Sequence, residues 1–184
     1  MPSGALSSVG SNVSAGTGTD WIVADPSGRY LYSTAFNSNS LQEFLITAGT
    51  GLPTVNTNPF LPVGPSASNP GASSVVIEPT GKFVYATNKS LNQIFAFSID
   101  PATGLLSEIH TNNANSEVAD TGTTPVALAV DISGQYLYCV NSGSSDINIY
   151  KINLADGTLT AVGAATVSTG GTTPIMLAVT GTLK

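Results

Sequence analysis

The chain has 184 residues and carries five Lys and Arg against eleven Asp and Glu, for a formal net charge of −6. The charge is low and acidic with no basic cluster to neutralise phosphates, which argues against nucleic acid as a partner. No apolar run approaches the roughly 18 residues of a bilayer span, and the start MPSGALSSVGSNVSAG has neither the basic nor the apolar region of an export signal.

Residues 4–13 (GALSSVGSNV) read as an outer strand of a unit that precedes the first complete one. WIVAD (21–25) is apolar almost throughout, as a strand covered on both faces should be. Asp25-Pro26-Ser27-Gly28 then places an acidic residue first, Pro second and Gly fourth, the preferences of a type I turn. RYLYST (29–34) is rich in aromatic and β-branched residues and reads as a second strand. SLQEFLI (40–46) carries apolar residues on both faces, and TAGTG (47–51) closes another hairpin before an outermost, more polar strand.

The same order returns twice. SVVIE, the turn at 78–81, KFVYAT, QIFAFSI, DPATG and LLSEIH fill residues 74–110. ALAVD, the turn at 131–134, QYLYCV, DINIYKI, LADGT and TLTAVG fill most of 127–163. Gly28, Gly81 and Gly134 step by 53 residues, as do Tyr32, Tyr85 and Tyr138, and Gly51, Gly104 and Gly157. A fixed period near 50 marks a repeat architecture. Four antiparallel strands per unit, apolar on both faces, require each sheet to pack against the one before and the one after. The expected fold is therefore an all-β β-propeller of four-stranded blades. Stacked β-sandwiches would need each unit to pair two sheets within itself, and four short strands are too few.

On this reading residues 1–20 hold the outer strand of a preceding blade, and 21–73, 74–126 and 127–173 are three full blades. PIMLAVTGTLK (174–184) repeats the first strand of a closing blade. Three blades plus a partial one would leave apolar faces and strand edges open. Closing the ring needs either further blades of a longer protein or a second copy.

The pattern of an acidic residue, Pro, any residue, Gly, Lys or Arg, aromatic, aliphatic and Tyr, followed by IFAFSIDPATGLLSEI (94–109), resembles the bacterial lactonase family. That group of seven-bladed propellers includes the 6-phosphogluconolactonases and, more loosely, the YVTN-repeat surface proteins. The likeness runs from Trp21 to Lys184 and rests on turn and core positions. It implies a ring of seven blades, of which this chain looks like the C-terminal half, with a site at the polar channel mouth and hydrolysis of a sugar lactone. Enzymatic members look similar in carrying His or Arg in the loops between the second and third strands and ahead of the first. Here those loops read AFNSNS, TNKSLNQ and VNSGSSD, with neither residue.

Lactone hydrolysis needs a group to deprotonate water and a donor or cation for the developing oxyanion. The best set in the chain is His110 as base, Glu117 or Asp120 as its orienting carboxylate, and Lys89 as cation. The plainer reading puts His110 at a solvated blade edge, because it directly follows an outer strand. Trp21, Asn88 and Asn141 are the candidate ligand contacts, although the plainer reading of Trp21 is that it fills space between blades. No cofactor is expected. EVADTG (117–122) lacks the acidic ladder of a calcium loop, and one His with one Cys excludes a His/Cys zinc site within the chain. Cys139, inside YLYCVN, reads as a buried, inert thiol.

Two functions follow: a lactonase-like hydrolase acting on a sugar lactone, or a non-catalytic propeller that binds a protein or glycan through its rim loops. The abundance of Ser, Thr, Gly and Asn points to a periplasmic or cell-surface setting in a bacterium.

Overall fold

A computed structural model describes residues 5, 7–57, 60–65, 70–110, 119–163 and 166–180, which form three antiparallel sheets and no helix. In the first sheet β1 (Thr19–Ala24) pairs β2 (Tyr30–Ala35), and β2 pairs β3 (Ser40–Ile46). The outer edge of β3 is covered by two short pieces, β4 (Pro53–Val55) at one end and β5 (Leu61–Pro62) at the other. The second sheet repeats this with β6 (Ala72–Ile77), β7 (Phe83–Asn88) and β8 (Gln93–Ile99), edged by β9 (Leu106–Glu108) and β10 (Ala119–Asp120). The third comprises β11 (Pro125–Val130), β12 (Tyr136–Asn141) and β13 (Asp146–Ile152), edged by β14 (Leu159–Ala161) and β15 (Val167–Ser168).

The expected four-stranded blades are present, with one difference. The outermost strand is not continuous: it pairs for three residues, leaves, and returns to the other end of the same neighbour. Among the described residues that strand is held by a single ladder, so a break there costs little.

Local chemistry explains the repetition. In the first unit the Asp25 carboxylate accepts the backbone N–H groups of Arg29 and Tyr30 at 2.8 Å and of Ser27 at 3.0 Å. Glu78 and Asp131 do the same one and two repeats on. Gly28, Gly81 and Gly134 complete these turns at φ near +71° to +73°, a left-handed backbone that only Gly adopts freely. At the opposite end of the blades, Asn39, Asn92 and Ser145 also have positive φ and reach across to the next unit. Asn39 Oδ1 accepts Ala72 N at 3.1 Å, Asn92 Oδ1 accepts Thr124 N at 2.8 Å, and Ser145 Oγ accepts Thr173 N at 3.3 Å. Residues 174–180 therefore leave the third blade from the hold that starts an inner strand elsewhere, although no strand is assigned to them.

Two apolar clusters fill the spaces between the three sheets. Tyr30, Tyr32 and Leu41 of the first meet Val75, Val84 and Phe97 of the second. Phe83, Tyr85 and Ile94 of the second meet Leu128, Leu137 and Tyr150 of the third. These are the same positions displaced by one repeat, so the sheets stack as consecutive blades. The face of the first blade that has no sheet before it shows the contrast: Ile22 is 60% exposed, whereas its counterparts Val75 and Leu128 are 0% and 3% exposed.

Candidate functional site

Each inner strand is interrupted at the same point. Register shifts fall between Thr19 and Trp21, between Ala72 and Val75, and between Pro125 and Ala127, so Asp20, Ser73 and Val126 occupy equivalent bulged positions 53 residues apart. A bulge leaves a residue out of the ladder and re-aims its side chain, which is why bulges gather beside sites. All three residues line one cleft of about 270 Å³, together with Trp21, Lys89 and Ile175. Ile175 follows Pro174 as Val126 follows Pro125, so the wall of the cleft is one position taken from four successive units.

A polar seam fixes the first two bulges. Trp21 N donates to Thr34 Oγ1 at 3.1 Å, and Thr34 Oγ1 donates to the Ser73 carbonyl of the next blade at 3.3 Å. One repeat on, Ser74 N donates to Thr87 Oγ1 at 3.0 Å. Ser73 Oγ donates to the Pro125 carbonyl at 3.1 Å, so its 2.8 Å partner Thr87 Oγ1 supplies the proton between the two hydroxyls. Each hydroxyl has one hydrogen, and this assignment uses both.

Over this seam the loop between β7 and β8 presents Lys89. Its backbone N donates to Gly71 O at 2.8 Å, as Phe36 N does to Gly18 O one repeat earlier. Its ammonium lies 4.5 Å from the centroid of the Phe36 ring, close enough for a cation–π attraction that restrains it above the cleft. Trp21 is half-buried: it packs against the first apolar cluster, the space-filling role, and also lines the cleft. The arrangement offers a carboxylate (Asp20), an ammonium (Lys89) and an indole face.

The other candidates lie elsewhere. His110 is exposed, just past β9 on the outer edge of the second blade. Asp120 is exposed in β10 on the same edge, where its Oδ1 accepts Gln93 Nε2 at 3.2 Å and its carbonyl accepts the Tyr150 hydroxyl. Neither lines the cleft that Lys89 and Trp21 share. Glu117 lies outside the described residues. Asn88 and Asn141 are buried and occupied within the protein. Asn88 Nδ2 donates to Asn39 Oδ1 at 3.0 Å and to Val63 O at 2.8 Å, and its Oδ1 accepts Ser90 N and Leu91 N. Asn141 Nδ2 donates to Asp146 and Asn148, both at 2.7 Å. Cys139 is buried, and burial pushes its thiol well above the usual range, helped by the nearby Asp146 charge. Among the described residues no three His, Cys, Asp or Glu side chains gather where they could hold a metal, and no helix is long and apolar enough to cross a membrane.

Comparison with known proteins is consistent with this architecture. The model of the family "Lactonase, 7-bladed beta-propeller" matches residues 3–176. The 6-phosphogluconolactonase of Formosa agariphila is 27% identical over 149 residues, covering 80% of this chain and 40% of that protein. A candidate 6-phosphogluconolactonase structure from Bacteroides fragilis superposes with a TM-score of 0.75 at 19% identity, over 89% of this chain and 42% of that one. The periplasmic gluconolactonase of Pseudomonas aeruginosa gives a TM-score of 0.68 at 21% identity, over 83% and 40%. At such identities the structural likeness is one of fold, and the chain spans less than half the length of these relatives.

Proposed function

The chain belongs to the seven-bladed β-propeller lactonase family, and we propose that its inner cleft binds a sugar lactone and contributes to opening the ester ring. The observation that supports this reading is the convergence of four equivalent inner positions, Asp20 among them, on one cleft that also holds Trp21 and Lys89. A pyranose-like ring has an apolar face that stacks on an indole, which is the role of Trp21. The Asp20 carboxylate takes a proton from water as the oxygen attacks the lactone carbonyl. The Lys89 ammonium faces the oxyanion that develops there. When the ring C–O bond breaks, the departing oxygen takes that proton back from Asp20, leaving a hydroxy acid.

The test is acid release from glucono-1,5-lactone by the 184-residue chain, followed at constant pH against the spontaneous background. Hydrolysis above background should fall by roughly 10²- to 10⁴-fold in Asp20→Asn and remain unchanged in His110→Ala. Loss of turnover in His110→Ala with retention in Asp20→Asn would return the chemistry to the outer edge of the blade.

A further inference from the structure

The charge around the cleft bears on which lactone it takes. The chain has five basic residues. Arg29 and Lys82 stand at the turns after β1 and β6, the end of the blades away from the cleft, where Arg29 Nη2 donates to the Pro101 carbonyl at 2.7 Å. Lys151 lines a different hollow, with Gln135 and Asn153, beyond the corresponding turn of the third blade. Lys184 lies outside the described residues. Lys89 is therefore the one basic side chain among the described residues that lines the cleft, and Asp20 shares its wall.

Nothing else on the described wall compensates. Ser73 Oγ is already donating to Pro125 O. The described residues contain no helix, so no helix N-terminus offers its N–H groups to an anion. A phosphate monoester brings nearly two negative charges and is recognised by paired cations or clustered N–H donors. A wall of one carboxylate and one ammonium has no net charge to offer it, in a chain that is acidic as a whole.

Resting on the reading above, we infer that the cleft selects an uncharged sugar lactone and discriminates against its phosphorylated counterpart. The indole, the Asp20 carboxylate and the Lys89 ammonium supply stacking and hydrogen bonds to hydroxyls, which suit a neutral polyol ring. The family relatives named above include 6-phosphogluconolactonases, so the two lactones are the pair to compare.

Trp21 is the only tryptophan and lines the cleft, so its fluorescence reports a ligand bound there. The experiment mixes the full chain in a stopped-flow instrument with glucono-1,5-lactone or its 6-phosphate, reading each before spontaneous ring opening. A saturable change with the unphosphorylated lactone, and at least about tenfold weaker binding of the phosphate, is the expected result. Asp20→Asn, which leaves Lys89 unopposed, should narrow that gap. Equal or tighter binding of the phosphorylated lactone by the unaltered chain overturns the inference while leaving the lactone site in place, as does a gap that Asp20→Asn fails to narrow. Silence of Trp21 toward both lactones overturns the site itself, and the inference with it.

Discussion

Tyr32 Oη donates a hydrogen bond to the carbonyl of Gly104, 2.8 Å away and 72 residues on, and so ties the first blade to the hairpin turn of the second. Tyr85 makes the same bond to Gly157 at 2.9 Å, between the second and third blades. Tyr138 occupies the equivalent place in the third blade, and its hydroxyl has no partner among the described residues. Tyr85→Phe should therefore destabilise the chain by about 1–3 kcal/mol, because it strands a buried carbonyl, and Tyr138→Phe should change stability by less than about 0.5 kcal/mol. Urea unfolding midpoints of the two variants check this. Equal losses would mean that the bond is not what distinguishes the positions.

The hydroxyl of Thr87 holds the second inner bulge by accepting Ser74 N at 3.0 Å and bonding Ser73 Oγ at 2.8 Å. Thr87→Val keeps the shape and removes both bonds at a fully buried site, so a loss on the order of 1–3 kcal/mol is expected. If the bulge aims the cleft wall, lactone binding should also weaken in the folded variant. Trp21 fluorescence and urea unfolding on the same sample separate the two effects.

How much of this was legible beforehand follows from what is local. The turns at Asp25, Glu78 and Asp131, and the apolar faces represented by Val75 and Leu128, are short-range patterns that repeat every 53 residues, so the blades could be read directly. The division of the outer strand could not, since β10 and β15 are two-residue pieces with no periodicity to detect. The cleft was hidden for a different reason. A bulge at Asp20, Ser73 and Val126 has no residue signature of its own, and three unlike side chains at a shared position look unrelated until the register is known. Thr34 and Thr87, which hold the bulges 14 residues downstream, were the available signal, and Ile175 breaks the 53-residue step. His110, the sole histidine, follows the outermost strand, and that placement in the sequence already implies the solvated edge where it lies.

Glu43 is fully buried between the first two blades, where Oε1 accepts Leu106 N at 2.9 Å and Oε2 has no partner among the described residues. Burial raises its pKa above the ordinary carboxylate value, against the lowering effect of that hydrogen bond. The folded state thus binds this proton more tightly than the unfolded chain does. Its contribution is complete below the ordinary Glu pKa and is lost as pH rises through the raised folded value. Glu43→Gln keeps the acceptor and removes the charge, so it should stabilise the chain at pH 8 by on the order of 1 kcal/mol and do little at pH 4. Urea unfolding at the two pH values measures it; a gain at pH 4 alone would contradict the assignment.

Leu128 and Ile22 are the same position two repeats apart, 3% and 60% exposed. Leu128→Ala should cost about 2–5 kcal/mol as a core truncation, and Ile22→Ala less than about 0.5 kcal/mol. Thermal unfolding of both variants tests whether the first blade presents an open face in solution. A large loss in Ile22→Ala would mean that something covers that face.

The most direct test of the central claim is a map of backbone amide shifts in the labelled chain during titration with glucono-1,5-lactone, recorded before the ring opens. If the inner bulges form the ligand site, the shifts will concentrate at Asp20, Trp21, Ser73, Lys89, Val126 and Ile175, with His110 and Asp120 unmoved. Shifts centred on His110 and Asp120, with the inner positions silent, would contradict it.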